Sequence, residues 1–221
     1  MEQAEKLVKF LGEVLGDAYE IVLQDVRPDK MQIVNIANGQ VSGRSVGAPM
    51  TDLSLQICAD ESWKIKDYES NYTGVTKNGK MLKSSTFFIK EDDKLVGMLC
   101  INQDTSRFKA LSEEILRIGG VEFPKTTSAE KSNAAVPQKI ENFSENISEI
   151  TIRAIRDTLG PESQIPLNHL KQHERMKIVE NLNNSGVFIM RGAVSEVAAQ
   201  LECSEASVYR YLSKISKTKN R

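Results

Sequence analysis

Residues whose types and spacing could do chemistry lie near the end of the chain, in SEVAAQLECSEASVYRYLSKI from Ser195 to Ile215. Two short segments with apolar residues at helical spacing are separated there by a few residues around Cys203. An α-helix fits the major groove of B-DNA, and residues at its N-terminal end then meet base edges. The second segment carries short or polar side chains at that end. The predicted DNA-contacting residues are Ser204, Glu205, Ala206, Ser207, Tyr209, Arg210 and Lys214.

The chemistry of these side chains suits both phosphate and base contacts. Arg210 can hold a phosphate or pair with guanine through two hydrogen bonds, and Tyr209 can reach either partner. Ser204 and Ser207 can donate hydrogen bonds to phosphate. Further basic residues add an attraction to DNA that weakens as salt rises: Lys214, Lys217, Lys219 and Arg221. A pair of helices that binds a partner protein has the same apolar pattern, so a protein-interaction module remains the alternative.

Two helices of a predicted helix-turn-helix, at about residues 193–215, would position these side chains. Apolar spacings of three and four define their inward faces, which comprise Val194, Val197, Ala198 and Leu201 on the first and Val208, Leu212 and Ile215 on the second. Ser204 is predicted to cap the second helix, its hydroxyl accepting a backbone N–H. Glu202 stands in the turn, where glycine is common. A positive φ at Glu202 would cost about 1 kcal/mol relative to glycine.

A second candidate site lies in the first half of the chain, in NGQVSGRSVG from Asn38 to Gly47. Three glycines, two serines and Arg44 are ingredients of a backbone-lined loop that could hold an anion. The stretch matches no nucleotide-binding glycine motif, and nothing in the sequence indicates haem, flavin or another cofactor. The predicted residues for a small-molecule effector are Arg44, Ser45 and Asn102. The alternative is a loop whose glycines permit tight turns and whose arginine forms a salt bridge.

Catalytic and metal-binding constellations are not evident in the sequence. His169 and His173 have the i and i+4 spacing of a metal clamp on a helix, but no third ligand is evident, and a solvated helix start is the alternative. Three cysteines, Cys58, Cys100 and Cys203, lack the spacing of a disulfide framework or a zinc site. We therefore expect no metal site and no enzymatic activity.

The elements before the helix-turn-helix have two different periods. Residues 2–15 and 108–118 are predicted helices, and alternating segments between them predict antiparallel strands, including a hairpin at Asn78-Gly79 and another across residues 90–94. The first 118 residues are thus predicted to form an α+β domain, an antiparallel sheet flanked by helices. Residues 119–138 are rich in small residues, glycine and proline, and predict a linker to an all-α domain at 139–221.

A helical seam is predicted at the start of that second domain. It consists of Ile140, Phe143, Ile147, Ile150 and Ala154, which recur at spacings of three and four. Only about two heptads are present, fewer than a coiled coil needs. A helix packed on its own domain and a dimer helix therefore both remain open.

Composition sets the class of protein. The chain has 221 residues, of which 40% are hydrophobic and 27% charged, as in an ordinary globular protein. With neither a signal peptide nor a membrane-spanning run in the sequence, we expect a bacterial-type cytoplasmic location. The net charge of −1 conceals an asymmetry, because residues 151–221 hold 11 basic and 7 acidic residues, whereas residues 1–150 hold 18 and 23. This polarity fits a mildly acidic domain joined to one that faces nucleic acid.

Two parts of the chain resemble one known family. The stretch MKIVENLNNSGVFIMRGAVSEVAAQLECSEASVYRYL resembles the C-terminal helix-turn-helix of the YheO-like, or DauR-like, transcriptional regulators. The segments IVLQDV, IVNIANGQVSGRSVGAPMTDL, KSSTFFIK and LVGMLCINQD resemble the PAS domain of the same family. The resemblance implies a sensory half and a half that reads double-stranded DNA. We expect a homodimer, since two symmetric readers engage two half-sites of an operator.

Overall fold

The computed structural model of the chain describes residues 1–28, 30–120, 140–143, 146–160 and 170–219. Its helices and strands, in chain order, are α1 (Glu2–Leu15), β1 (Tyr19–Asp25), β2 (Gln32–Ala37), α2 (Asp52–Asp60), β3 (Tyr68–Val75), β4 (Met81–Glu91), β5 (Lys94–Asp104), α3 (Ser106–Ile118), β6 (Ile140–Asn142), α4 (Ile147–Leu159), α5 (Gln172–Asn184), α6 (Ala193–Gln200) and α7 (Glu205–Lys219). Three short 3₁₀ turns lie at Gly39–Val41, Ser62–Lys64 and Val187–Ile189.

The strands form one sheet in the order β2-β1-β5-β4-β3-β6. Five strands are antiparallel, and β6 adds a short parallel pairing at the β3 edge. The β4–β5 hairpin turns at Asp92 and Asp93, whose φ values of 49° and 55° are those that a tight hairpin turn requires. A sheet with helices followed by a helical region confirms the predicted α+β class.

The β3–β4 hairpin differs in one detail from its prediction. Gly79 has a φ of 76°, but Asn78 is not among the residues with positive φ. A type I′ turn needs positive φ at both central residues. The chain instead closes a slightly longer loop, in which Thr76 N–H donates to the Lys80 carbonyl and Gly79 N–H donates to the Thr76 carbonyl.

Side chains alternate between the two faces of the sheet, and the faces are covered differently. Helix α1 covers one face, where Ala4 and Val8 pack on Ile21, Leu23 and Leu99. The opposite face, here called the concave face, is covered by α2, the loop after β2 and the helical region, and its buried residues include Val22, Phe88, Met98 and Cys100. The larger core of the molecule therefore lies on the concave face.

The two predicted amphipathic helices of the first half form, but most of their apolar residues stay exposed. On α1 Ala4 and Val8 are buried, whereas Leu7, Val14 and Leu15 are exposed. On α3 no residue is buried, and Phe108, Leu111, Ile115 and Ile118 are 59–75% exposed. Helix α3 thus forms where the sequence predicted a helix, but it buries none of its residues within the described chain. An apolar helix face predicts burial against something, and within the described chain α3 has no such neighbour.

The predicted seam from Ile140 to Ala154 is not one continuous helix. Residues Ile140–Asn142 form β6, and α4 begins only at Ile147, where Asn146 caps it by accepting a hydrogen bond from Glu149 N at 2.9 Å. Glu141 and Phe143, two residues apart, are both buried. Two buried residues at this spacing are typical of a strand. Because one of them is a glutamate, a search for alternating apolar residues does not detect this strand. The sheet thus includes residues that follow the predicted linker.

Helices α4 to α7 pack together and also against the sheet domain. Their buried side chains include Ile150, Ile178, Leu182, Val197 and Val208, and they join the concave-face residues in one continuous core. The two parts approach closely at Gly186, which has a φ of 74° and where an added Cβ would lie 2.8 Å from the Leu55 carbonyl oxygen on α2. Among the described residues, no helix has the combination of length and apolarity that crossing a bilayer requires.

Candidate nucleic-acid interface and ligand site

Helices α6 and α7 are joined by a tight turn at residues 201–204. Leu201 N–H donates to the Val197 carbonyl, and Cys203 N–H donates to the Ala198 carbonyl at 3.0 Å. Between them Glu202 has a φ of 48°, a left-handed conformation that costs a non-glycine residue about 1 kcal/mol. The sequence placed this residue in the turn correctly. The left-handed conformation at Glu202 is part of the turn that reverses the chain between α6 and α7.

The inward face of α7 holds the helix against its neighbours. Val208 and Ile215 are buried as predicted, whereas Leu212 is only half-buried. Tyr211 is 3% exposed and was missed, although it stands three residues after Val208 and four before Ile215. That spacing was a signal for burial, since an aromatic ring with a polar hydroxyl can occupy the boundary of a core.

Ser204 begins α7 as expected. Its Oγ accepts a hydrogen bond from Ser207 N at 3.3 Å, and it also lies 3.1 Å from Ser207 Oγ. An N-cap of this kind satisfies one backbone donor that the first helical turn leaves without a partner. The exposed N-terminal end of α7 is thereby held in a defined helical conformation.

The outward face of α7 carries the predicted contact residues. Tyr209 is 58% exposed, and Ser207 is half-buried. The Arg210 guanidinium lies 5.7 Å from the centroid of the Tyr211 ring, which supports its stem while leaving its position on the surface. The remaining predicted contact residues are exposed, namely Ser204, Glu205, Ala206, Arg210 and Lys214. Six of the seven predicted residues are therefore exposed, on the sides of α7 that do not face the core, and they extend from the N-cap to the middle of the helix.

A polar contact connects this pair of helices to α4. Ser148 Oγ on α4 donates a hydrogen bond to Glu196 Oε1 on α6, and Gln200 Nε2 donates to the same oxygen at 3.3 Å. The first helix of the pair is therefore fixed to the element that follows β6.

The concave face of the sheet carries a row of polar side chains. Cross-strand pairing aligns Glu20 with Asn102, Asn102 with Ser84, and Ser84 with Tyr72. Glu20 is fully buried and accepts hydrogen bonds from Asn102 Nδ2 at 2.8 Å and from Ser42 N at 3.2 Å. Burial raises the pKa of Glu20, and the hydrogen bonds from Ser42 and Asn102 partly oppose that rise. Such a row is uncommon in a protein core.

Arg44 reaches the same region from the loop after β2. It is 5% exposed, donates a hydrogen bond to the Pro49 carbonyl, and its guanidinium lies 5.7 Å from the centroid of the Phe143 ring. Burial lowers the pKa of Arg44, while Glu141 and Glu20 act in the opposite direction. Arg44 and Asn102, predicted as ligand residues, thus both neighbour Glu20. Ser45, the third, is exposed and lines a surface hollow of about 430 Å³.

Glu141 on β6 completes this group, and no sequence pattern indicated it as a site residue. The side chain is 2% exposed, and its Oε1 accepts a hydrogen bond from Thr51 Oγ1 at 2.5 Å. Burial raises the pKa of Glu141 to about 7, against the stabilising influence of Thr51, Arg44 and Tyr72 on its charged form. We call the group formed by Glu20, Arg44, Thr51, Tyr72, Ser84, Asn102 and Glu141 the polar cluster.

Several buried atoms of the polar cluster have no hydrogen-bond partner within the described parts of the chain. They are Arg44 Nε, Ser84 Oγ, Asn102 Oδ1 and Glu141 Oε2. A buried polar atom without a partner costs about 1–3 kcal/mol. Such atoms call for a partner such as ordered water, an ion or a ligand, so the polar cluster is the candidate ligand site.

Comparison with known proteins identifies the two halves. A family model described as the YheO-like PAS domain matches residues 1–118, and one described as an HTH domain matches residues 151–213. The chain belongs to the YheO-like PAS family. Its combination of a PAS-type domain with a helix-turn-helix indicates a DNA-binding regulator.

Three relatives of this YheO-like chain illustrate the similarity. The uncharacterized protein YheO of Escherichia coli (strain K12) is 27% identical over 213 residues, which cover 96% of this chain and 83% of the relative. The uncharacterized protein YheO of Shigella flexneri matches to the same extent. An uncharacterized protein of Haemophilus influenzae is 25% identical over 212 residues, covering 95% of this chain and 88% of the relative.

The remaining sequence candidates are the histidines and the cysteines. His169 falls outside the described residues, and in the described parts no three His, Cys, Asp or Glu side chains form a group that could hold a metal. Cys58, Cys100 and Cys203 are free thiols. Burial raises the pKa of Cys58 and of Cys100 to about 12, so these two are protonated at neutral pH.

Proposed function

We propose that this YheO-like protein is a transcriptional regulator whose α7 reads the major groove of an operator. The observation that carries the proposal is the orientation of α7. Val208 and Tyr211 anchor the helix from behind, while Tyr209 and Arg210 point outward next to its capped N-terminal end. Arg210 can pair with guanine or phosphate, and Lys214 adds sequence-independent attraction.

We further propose that the regulator acts as a homodimer. The apolar faces of α1 and α3 support this, because Phe10 and Val14 on α1 and Leu111 and Ile115 on α3 are each 57–63% exposed. Patches of large apolar residues on a protein surface mark sites of association. A second copy of the chain is the occupant that fits the function, since two readers related by a two-fold axis engage half-sites about one helical turn apart.

The signal-receiving role is assigned to the PAS-type half. The polar cluster supports it, because buried charged groups and unpartnered polar atoms are concentrated on the concave face. The surrounding core continues without interruption into α4 to α7. A ligand that binds differently to two arrangements of this core would shift the population of the DNA-binding arrangement.

The test measures binding to genomic DNA fragments by mobility shift across a salt series. Wild type is compared with Arg210→Ala, Lys214→Ala and Lys64→Ala, the last removing one exposed charge from the PAS-type half. Arg210→Ala should weaken binding by about tenfold or more if the arginine pairs with a base. Lys214→Ala should reduce the salt slope by about one. Lys64→Ala should match wild type.

Unchanged affinity in both α7 variants, or binding that does not depend on salt, would contradict the proposal. A protein-interaction role for α6 and α7 would then be favoured over DNA reading. Sequencing of the DNA retained by wild type identifies the operator.

A further inference from the structure

The polar cluster has an unusual member in Glu141, because this residue comes from a different part of the chain than its neighbours. It reaches the concave face on β6, a strand of only three residues, which pairs with β3 in parallel so that Glu141 lies opposite Gly74. Three residues of parallel pairing at a sheet edge provide few backbone hydrogen bonds. The position of β6 therefore depends strongly on its side chains.

Two side chains hold β6 in place. Glu141 accepts the hydrogen bond from Thr51 Oγ1 described above. Phe143 fills the space that Gly74 leaves, since a Cβ at Gly74 would lie 2.4 Å from Phe143 Cε2. The Phe143 ring also lies beneath the Arg44 guanidinium. Both side chains are buried on the concave face, where they contact Thr51 and Arg44.

The surroundings of the Glu141 carboxyl include a buried guanidinium with a donor that no described residue uses. Arg44 is buried with its Nε unpartnered, and Glu141 Oε2 is unpartnered as well, within the described residues. A buried guanidinium is costly unless an anion compensates it. The unused donor at this place is the Arg44 Nε–H, which the tethered carboxylate does not engage.

We propose that the polar cluster binds a small carboxylate in the place of the Glu141 side chain, so that the ligand and Glu141 compete for the hydrogen bond from Thr51 Oγ1. Thr51 Oγ1 and the Arg44 guanidinium would be its donors, and the role of this ligand as an effector rests on the proposed function above. The chain's own Glu141 is then an internal stand-in for the carboxylate group of the ligand.

The competition would be communicated to the helix-turn-helix by two short routes. The first runs along the chain, because only four residues separate β6 from α4, and α4 contacts α6 through Ser148 and Glu196. The second runs through Thr51, which caps α2 by accepting from Ser54 N, and α2 contacts Gly186 just after α5. Release of Glu141 would change both connections at once.

The test asks whether the cluster binds a free carboxylate once Glu141 is shortened. Thermal unfolding of the full-length Glu141→Ala protein is measured against sodium acetate at constant ionic strength. Acetamide, a neutral isostere, and inorganic phosphate, a different anion, are the comparison solutes. Glu13→Ala is the matched control, because Glu13 is exposed on α1. A double variant, Glu141→Ala with Arg44→Met, removes the buried donor.

Acetate should raise the Tm of Glu141→Ala saturably, by about 3–6 °C at a tenfold excess over its Kd. Acetamide and phosphate should not reproduce this shift, and acetate should not stabilise Glu13→Ala or the double variant. Equal shifts with acetate, phosphate and acetamide, or no shift with acetate in Glu141→Ala, would overturn the proposal. If Glu141→Ala is unfolded in chloride, acetate must restore its circular dichroism spectrum where acetamide does not, and failure to do so overturns it equally.

The outcome is independent of the proposed function. The acetate titration contains no DNA, and the mobility shift contains no acetate. If acetate has no effect but DNA binding is intact, the carboxylate site is contradicted and the regulator proposal stands. If acetate binds but DNA does not, the regulator proposal is contradicted and the carboxylate site stands.

Discussion

Glu202 is the residue with left-handed backbone conformation in the turn between α6 and α7. Its φ of 48° lies in the left-handed region, where a Cβ approaches the following carbonyl oxygen. The turn retains this conformation because Leu201 and Val208 on either side are fully buried. Packing on both sides thus offsets a local conformational cost.

Replacing Glu202 by glycine should stabilise the protein, because glycine adopts positive φ without the Cβ clash. We expect the free energy of unfolding to rise by up to about 1 kcal/mol, measured by urea denaturation. Glu180→Gly, at an exposed position within α5, is the matched control and should lower the free energy of unfolding by about 1 kcal/mol. A destabilised Glu202→Gly protein would mean that the Glu202 side chain makes a contribution larger than the strain.

Strand β6 makes the stability of the PAS-type domain depend on pH. It brings the Glu141 carboxyl into a buried site, where burial raises its pKa to about 7, with Asp52 acting in the same direction and Arg44 opposing it. The folded protein therefore binds a proton at Glu141 that the unfolded chain releases at lower pH. The attachment of β6 is expected to weaken as that proton is lost.

Stability should accordingly fall as pH rises from about 4.5 to about 7, in the window between the unfolded and the folded pKa of Glu141. Glu141→Gln cannot titrate, so the difference in unfolding free energy between wild type and this variant should change by up to about 3 kcal/mol across the window. Chemical denaturation at a series of pH values measures it. Burial also raises the pKa of Glu20, which is present in both proteins. Its effect on the pH dependence of stability therefore cancels when the two unfolding free energies are subtracted. Parallel pH curves would contradict a raised pKa at Glu141.

The arrangement of the whole molecule depends on the exposed apolar faces of α1 and α3. A monomer would leave Phe10, Phe108, Leu111 and Ile115 in water, each 57–62% exposed. Burying such side chains contributes about 1.5–3 kcal/mol each. Pairing two chains through these faces would also bring two copies of α7 into one assembly.

Introducing charge on α3 should separate the dimer. Leu111→Glu and Ile115→Glu should shift the mass measured by sedimentation from dimer to monomer, because a carboxylate cannot be buried in an apolar interface without a partner. Glu113→Lys, on the same helix and exposed, changes charge without touching the stripe and should remain dimeric. Affinity for an operator with two half-sites should fall with the dimer, whereas affinity for a single half-site should not.

A monomeric wild-type protein at micromolar concentration would contradict the dimer and leave the mechanism of α7 itself intact. The two questions are therefore answered by separate measurements.

Local rules were sufficient for α7 and its cap. The spacing of Val208 and Ile215 and the serine at Ser204 are properties of short segments, and the structure buries the first two and makes Ser204 the cap, as predicted. A period of 3.6 residues and the N-cap preference act over less than two helical turns. The same reasoning found most of the strands, because alternation is also local.

Tertiary structure alone decided the polar cluster and the location of β6. Glu20, Arg44 and Glu141 are charged residues, for which the sequence predicts exposure, yet all three are buried. They come from the first strand, a loop and a segment about a hundred residues later, and only the closing of the sheet brings them together. The exposed stripe of α3 depended equally on long-range contacts. Sequence periodicity reveals which face of an element is apolar, but it does not reveal what that face, or a buried charge, will meet.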